Sequence, residues 1–242
     1  MKRTERHRLK ENEVASTVAR AKEAYETYRK PILAGVVALT VIVVLAVALA
    51  AWRSQTAGQA RAMLADAMAA ERAQVAPALA AGTTAPAPPA AGSYPTEKAR
   101  NEAALAKFMA VANVYPSSDA GIAARYHAAA MLTALGRNTE AVKRYQEVLD
   151  RSGSSVYGQM SKLGMADAQV AAGQYDQAIA VYKEMSANKD GYLPVDGILM
   201  QLARAYGAAG KQADARQTFK RIVDEFPQSA YSAEAKRAME QI

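Results

Sequence analysis

The sequence predicts an all-α protein: a solenoid of about three helical hairpins with flanking helices, preceded by one transmembrane helix. Two observations carry this prediction. Four alanines recur every 37 residues, each followed four residues later by an aromatic residue. Near the amino terminus, a run of 22 residues contains no charge, which is enough for one membrane crossing. The repeated pairs are Ala104 with Phe108, Ala141 with Tyr145, Ala178 with Tyr182, and Ala215 with Phe219.

A fixed period of this size is typical of stacked helical hairpins, each of which buries its apolar face only against its neighbours. The last unit has the fullest pattern. Leu199, Leu202 and Tyr206 fall at helical spacing and so share one face of a first helix. Gly210 fits the left-handed position that ends this helix, and Pro227 stops the second helix.

This unit resembles the tetratricopeptide repeat, with Leu199 at the position where that family usually has tryptophan. The family's usual length is about 34 residues, so the extra residues lengthen a loop, which the turn-forming composition places at 186–191. The resemblance implies three full hairpins over about 119–227, an orphan helix at about 97–115 and a last helix at about 229–241. It also implies a binding scaffold and not an enzyme.

Composition argues against catalysis and nucleic-acid binding. Of the formal net charge of +7, residues 1–30 contribute +4, and the repeats have no single-sign patch in sequence. The chain has no cysteine, and therefore no thiol nucleophile and no zinc-finger spacing. Its two histidines, His7 and His127, are predicted to lie on opposite sides of a membrane and cannot form one site. We expect no catalytic residue, no cofactor and no metal.

The uncharged run at residues 31–52 is predicted to form the transmembrane helix. At about 1.5 Å per residue it spans roughly 33 Å, the thickness of the hydrocarbon core. Trp52 stands where an interfacial aromatic belongs. A cleaved signal peptide usually has a shorter apolar region, but residues 48–50 match a cleavage site, so that alternative stays open. A buried helix in a soluble core is the other alternative.

The charges around this run predict its orientation. Residues 1–30 carry nine lysines and arginines, whereas the thirty residues after the run carry three. The positive-inside rule places the amino terminus in the cytoplasm and the repeats in the periplasm of a Gram-negative bacterium. An apolar stripe in the tail predicts an amphipathic helix on anionic headgroups, or one that docks on a cytoplasmic partner. The stripe consists of Val14, Val18, Ala21, Tyr25 and Tyr28.

A proline-rich segment separates the apolar run from the repeats. Five of the nine prolines lie between residues 76 and 95, a composition typical of semi-extended spacers. We therefore expect this segment to hold the repeats away from the membrane. The predicted division is a cytoplasmic basic tail at 1–30, a transmembrane helix at 31–52, a juxtamembrane helix at 53–75, a linker at 76–95 and a periplasmic repeat domain at 96–242.

The topology resembles that of the ancillary subunit of the bacterial SecYEG translocon. This resemblance implies an inner-membrane scaffold that binds proteins, or nascent and unfolded segments, near the translocon and periplasmic chaperones. The alternative is an envelope-assembly coordinator of the Tol–Pal or outer-membrane assembly type. The hairpin junctions of such proteins are similar to two segments of this chain, residues 115–120 and 226–231. The chain has no cysteine to lipidate. A purely structural spacer is a further alternative.

The resemblance also implies a binding surface. In tetratricopeptide superhelices the concave wall is built by the second, fifth, ninth and twelfth positions of each first helix. Here these positions give tyrosine, methionine and leucine with one acid and one base, which suits adaptable contact with extended or helical segments. The lysine–asparagine pair that clamps a terminal carboxylate is absent. Alternatively, some of these residues only pack between hairpins. The predicted protein-binding residues are Tyr126, Thr133, Met160, Leu163, Asp167, Met200 and Arg204.

The charge asymmetry makes a testable prediction. In intact spheroplasts, added protease is expected to digest the repeats and to leave an anchored amino-terminal fragment, because the basic tail stays in the cytoplasm. Immunoblotting with an antibody against each end measures this. Repeats that are protected until the membrane is lysed would overturn the orientation.

Overall fold

The computed structural model describes residues 3–76, 92–188 and 191–242. The interior of the predicted linker lies outside these ranges. Within them the chain forms nine α-helices and one isolated β-bridge. The helices are α1 (Arg3–Glu71), α2 (Glu97–Val114), α3 (Asp119–Ala134), α4 (Asn138–Ser152), α5 (Val156–Ala171), α6 (Tyr175–Ala187), α7 (Val195–Ala208), α8 (Gln212–Glu225) and α9 (Ser232–Gln241).

The chain divides into two compact units, Met1–Thr56 and Ala57–Ile242. The first is helical from Arg3, and the large apolar side chains between residues 33 and 52 that have a described environment are exposed. One segment, Tyr28–Glu71, is long and apolar enough to cross a membrane, with a mean hydropathy of 3.1 in its most apolar window. The tail's predicted stripe begins at Val14, whose side chain lies outside the described part.

The second unit contains the three predicted hairpins, formed by α3 with α4, α5 with α6, and α7 with α8. Each helix packs against the next one in the chain, as expected for a solenoid. All four repeated alanines have 0% exposed surface, and the aromatic residue that follows each of them is buried. The predicted α-solenoid of stacked helical hairpins is therefore confirmed. The small residue lets two helices approach closely, and the ring fills the space between hairpins.

The repeated glycines end the first helix of each hairpin. Gly136, Gly173 and Gly210 have φ angles of 73°, 77° and 73°, in the left-handed region that side-chain-bearing residues rarely adopt. A glycine at this position lets the chain reverse within a few residues, so that the second helix packs back on the first. This confirms the prediction made for Gly210.

The structure differs from the expected orphan helix at α2. Residues 57–71 of α1 pack on α2, where Ala67 and Ala70 share one apolar cluster with Phe108. At the surface, Lys107 Nζ lies 2.7 Å from Asp66 Oδ2. The helix α2 is therefore the second helix of an additional hairpin that precedes the other three, and we call it the first hairpin. The repeat domain thus begins before the proline-rich segment. The period could not reveal this partner, because an insertion separates the two helices along the chain.

The two ends of the proline-rich segment are hydrogen-bonded to each other. Ala76 N donates to Tyr94 O at 2.8 Å, and Tyr94 N donates to Gln74 O at 2.8 Å. Val75 and Tyr94 form the isolated bridge. A spacer that separates two bodies would hold its ends apart. Here the ends meet, so the segment is an insertion within the first hairpin.

Arg125 ties three helices together near the start of the solenoid. Its side chain is buried, with Nη2 donating to Ala112 O at 3.1 Å and Nη1 donating to Pro116 O at 3.3 Å. Its Nε atom lies 3.4 Å from Glu147 Oε2 on α4. A buried cation is tolerated only when it is paired in this way.

The last helix begins three residues later than predicted. The hydroxyl of Ser229, in the turn before it, donates to Asp196 Oδ2 on α7 at 2.6 Å and accepts from Tyr231 N at 3.0 Å. Ala235 on α9 is fully buried in the same apolar cluster as Phe219. The helix α9 therefore closes the carboxy-terminal end of the solenoid.

A protease site inserted between residues 84 and 85 distinguishes a spacer from an insertion within a hairpin. After cleavage of the full chain in detergent, we expect the two fragments to co-elute in size-exclusion chromatography, because residues 57–71 remain packed on α2. The matched control is Ala67→Glu in the same cleaved chain, which puts a charge into a fully buried position and should separate the fragments. Release of the carboxy-terminal fragment without that substitution would contradict the packing.

Candidate protein-binding groove

The first helices of the three hairpins, α3, α5 and α7, form a continuous row, because α3 contacts α5 and α5 contacts α7. We call the side of this row that carries the predicted residues the inner groove. Some of the predicted side chains on this side also pack against the apolar clusters, as Tyr126 and Leu163 do.

Tyr126 on α3 lies at the centre of an aromatic cluster. Its ring centroid is 5.9 Å from that of Tyr145 and 5.9 Å from that of Tyr157, with both pairs tilted. Tyr145 is buried, whereas Tyr126 and Tyr157 are half-buried. Burial raises the pKa of the Tyr126 hydroxyl and raises that of Tyr145 to about 12. Both phenols therefore stay neutral at physiological pH and can donate hydrogen bonds.

His127 connects this cluster to the first hairpin. Its ring stacks on Phe108 with centroids 4.9 Å apart, and Tyr126 meets it edge-on at 5.5 Å. Its Nδ1 atom lies 3.2 Å from Glu71 Oε2. The histidine thus has a packing role at the joint between α1 and α3. In the part of the chain that the structure describes, no three His, Asp or Glu side chains are grouped to hold a metal ion.

Asp167 on α5 is a half-buried carboxylate. The Tyr182 hydroxyl on α6 donates to its Oδ1 atom at 2.5 Å. Burial raises the pKa of Asp167, while this hydrogen bond acts in the opposite direction. Asp167 in turn raises the pKa of Tyr182 and of Tyr126. Within the described ranges, no lysine or arginine forms an ion pair with Asp167.

Three more predicted residues lie on the inner helices with partly exposed side chains. Thr133 donates from its hydroxyl to Ala129 O at 3.1 Å. Leu163 packs against the large apolar cluster of the last two hairpins, and Met160 is half-buried one turn before it.

The structure corrects the prediction at the last hairpin. Met200 is only 1% exposed and belongs to the apolar core, so it does not present a surface to a partner. Arg204 is exposed, but its Nη2 atom lies 2.6 Å from Glu234 Oε1 on α9. Helical spacing assigns a residue to a face, but it does not say what covers that face. At the last hairpin Arg204 is therefore accessible, whereas Met200 is not.

Sequence reasoning missed two contributors to this surface. Tyr157 lies in the first turn of α5, outside the four positions that the family resemblance selects. Glu71 lies at the end of α1, on the far side of the proline-rich insertion. The apolar stripe of Met63, Leu64 and Ala67 was the available signal that this part of α1 packs in the repeat domain.

Comparison with known proteins agrees with the repeat assignment. The tetratricopeptide repeat family matches residues 169–242. Among solved structures, the chain is similar to a candidate kinesin light chain of Podosopora anserina with nearly identical TPR-like repeats. The identity is 20%, covering 59% of this chain and 85% of that one, with a TM-score of 0.49. A tetratricopeptide repeat protein from Parabacteroides merdae is similar at 15% identity, covering 60% and 54%, with a TM-score of 0.48. No curated protein matches the chain significantly.

The raised pKa of Asp167 predicts a stability effect. The contribution of the protonated Asp167 carboxyl group to stability is fully present below the pKa of this group in the unfolded chain. It is lost as pH rises through the raised pKa of Asp167 in the folded protein. Asp167→Asn cannot ionise and still accepts the Tyr182 hydrogen bond. We therefore expect a melting temperature at pH 7 equal to or above that of the wild type, with the difference shrinking towards about pH 4.

Thermal unfolding followed by circular dichroism measures this effect. The control is Asp150→Asn, which changes the same charge at an exposed position on α4. A loss of more than about 3 °C by Asp167→Asn at pH 7 would mean that the ionised carboxylate stabilises the fold.

Proposed function

We propose that this chain is a membrane-anchored scaffold whose inner groove binds other polypeptides. The observation that carries the proposal is the row of half-buried Tyr126, Leu163 and Asp167 side chains on adjacent first helices. Large apolar and aromatic side chains on such a row suit contact with an extended or helical segment. Tetratricopeptide repeats are a protein-interaction architecture, and we infer that the chain is not an enzyme.

The anchor in this proposal is the apolar run of α1. The exposed apolar side chains and the hydropathy of this helical span support a covering of lipid. The basic residues before the run favour an amino terminus in the cytoplasm, with the repeats in the periplasm. On this proposal, the inner membrane is the site of action, and residues 31–52 contact the bilayer.

We place the scaffold near the Sec translocon and periplasmic chaperones, on the strength of the topology that the sequence resembles. In the alternative proposal, the same groove serves Tol–Pal or outer-membrane assembly proteins. A photo-reactive amino acid at position 157, on the accessible edge of the groove, separates the two when it is activated in living cells. Cross-links to translocon subunits support the first proposal, and cross-links to Tol–Pal or assembly proteins support the second.

Binding through the groove is tested with the full chain in detergent and dodecapeptides selected on it from a random display library. We expect Tyr126→Ala with Leu163→Ala to weaken the binding of these peptides at least tenfold, because two central contacts are lost. Fluorescence anisotropy of labelled peptides measures the affinity, and circular dichroism checks that the variant stays helical.

The matched control for this test removes two exposed apolar side chains outside the groove, Val114→Ala with Tyr192→Ala. This control should bind the peptides as the wild type does. Unchanged affinity of the folded groove variant would move the binding site to another surface of the repeats.

A further inference from the structure

A small cavity lies between the second helices of the last two hairpins. It has a volume of about 290 Å³ between α6 and α8, and α7, which packs against both, contributes Leu202 and Tyr206. A volume of this size suits a single side chain or a small ion, because pockets for larger ligands begin at about 300 Å³. None of the residues predicted for the inner groove lines it. We call it the outer cavity; its lining consists of Lys183, Ser186, Ala187, Leu202, Tyr206, Asp214, Gln217, Thr218 and Arg221.

The lining of the outer cavity has two cations and one acid, Asp214, and so a formal net charge of +1. Lys183 on α6 is exposed and forms no ion pair within the described ranges. Arg221 on α8 is partly exposed, and its Nε atom lies 2.9 Å from Glu225 Oε1 one turn later. An exposed pair of this kind is weak, so the Arg221 guanidinium can exchange Glu225 for another carboxylate.

The two cations occur at only one of the three junctions between successive hairpins. At both earlier junctions, the position of Arg221 holds a glutamate and the position of Lys183 holds no cation. Every junction uses the same alanine–aromatic pair in its core, so the stacking of the hairpins does not require this reversal of charge. In chain order, the corresponding pairs are Met109 with Glu147, Gln146 with Glu184, and Lys183 with Arg221.

Two buried hydroxyl side chains in the lining also distinguish this junction from the one before it. Ser186 and Thr218 are 6% and 5% exposed, and each donates to a backbone carbonyl oxygen of its own helix. One repeat earlier, the same positions hold Leu149 and Val181. Because serine is smaller than leucine and both hydroxyls are held by hydrogen bonds, the space between α6 and α8 is open and has polar walls.

We propose that the outer cavity binds the carboxylate of an aspartate or glutamate side chain from a partner polypeptide. Lys183 and Arg221 donate charge-assisted hydrogen bonds to it, and the Tyr206 hydroxyl and the Gln217 amide are further donors in the lining. A net charge of +1 matches one carboxylate. A phosphate group carries about −1.5 to −2 at pH 7, so the nearby Asp214 would repel it more strongly.

The test uses the full chain in detergent and the random dodecapeptide library. The cavity variant is Lys183→Gln with Arg221→Glu, which installs the residues of the preceding repeat and is therefore expected to fold. Peptides that bind the wild type but not this variant should be enriched in aspartate or glutamate at one position. In a synthetic peptide with both ends blocked, replacing that acid by its amide should weaken binding about tenfold.

The matched control makes the same change of charge on α8 outside the lining, Lys220→Gln with Arg216→Glu. This control should keep the preference for the acid over the amide, whereas the cavity variant should bind both forms weakly and nearly equally. The groove variant Tyr126→Ala with Leu163→Ala should also keep the preference, because neither residue lines the outer cavity. Circular dichroism checks that each variant stays helical.

Competition identifies the anion that the outer cavity prefers. The amide of N-acetylglutamate should displace the peptide, and the corresponding glutamine compound should not. Stronger displacement by inorganic phosphate at the same concentration would overturn the assignment to a carboxylate. A set of cavity-dependent peptides without acidic enrichment, or the absence of any such peptide, would also overturn the inference. These outcomes leave the proposed function standing, because the groove variant tests the inner groove separately.

Discussion

The solenoid depends on one repeated interaction, a fully buried alanine next to a buried aromatic ring one turn later. Ala178 and Tyr182 illustrate it: the small side chain lets the two helices of the hairpin approach, and the ring fills the space towards the next hairpin. Truncating such a ring typically costs about 3–5 kcal/mol, a large part of a domain's stability. Four copies of this pair therefore hold the stack together from α2 to α8.

The same interaction leaves the inner groove free to differ from repeat to repeat. Tyr182 contributes to both the core and the groove, because its ring is buried in the core while its hydroxyl donates to Asp167 in the groove. A rigid core can hold a half-buried carboxylate in place at some expense of stability. Strained or costly groups in a well-packed protein are typical of functional sites. The packing of the second helices therefore supports the surface of the first helices that the proposed function uses.

The first hairpin links the repeats to the apolar amino-terminal helix. Its first helix is the end of α1, so the repeat domain begins at Ala57, soon after the uncharged run ends at Trp52. The proline-rich insertion lies inside this hairpin and not between the two units. In the proposed function, the chain therefore has no long spacer between its anchor and its first repeat.

The sequence by itself determined the hairpins, their register and the residues of their core, because a fixed period places buried residues at fixed intervals. It also predicted the apolar helix, from length and composition alone. Only the tertiary structure decided which of the candidate groove residues are accessible. Met200 and Leu163 occupy the same position in successive repeats, yet Met200 is buried in the core beside the closing helix, whereas Leu163 stays partly exposed. The partner of α2 was likewise decided in three dimensions, because an insertion breaks the period while contacts such as that of Ala67 do not depend on distance along the chain.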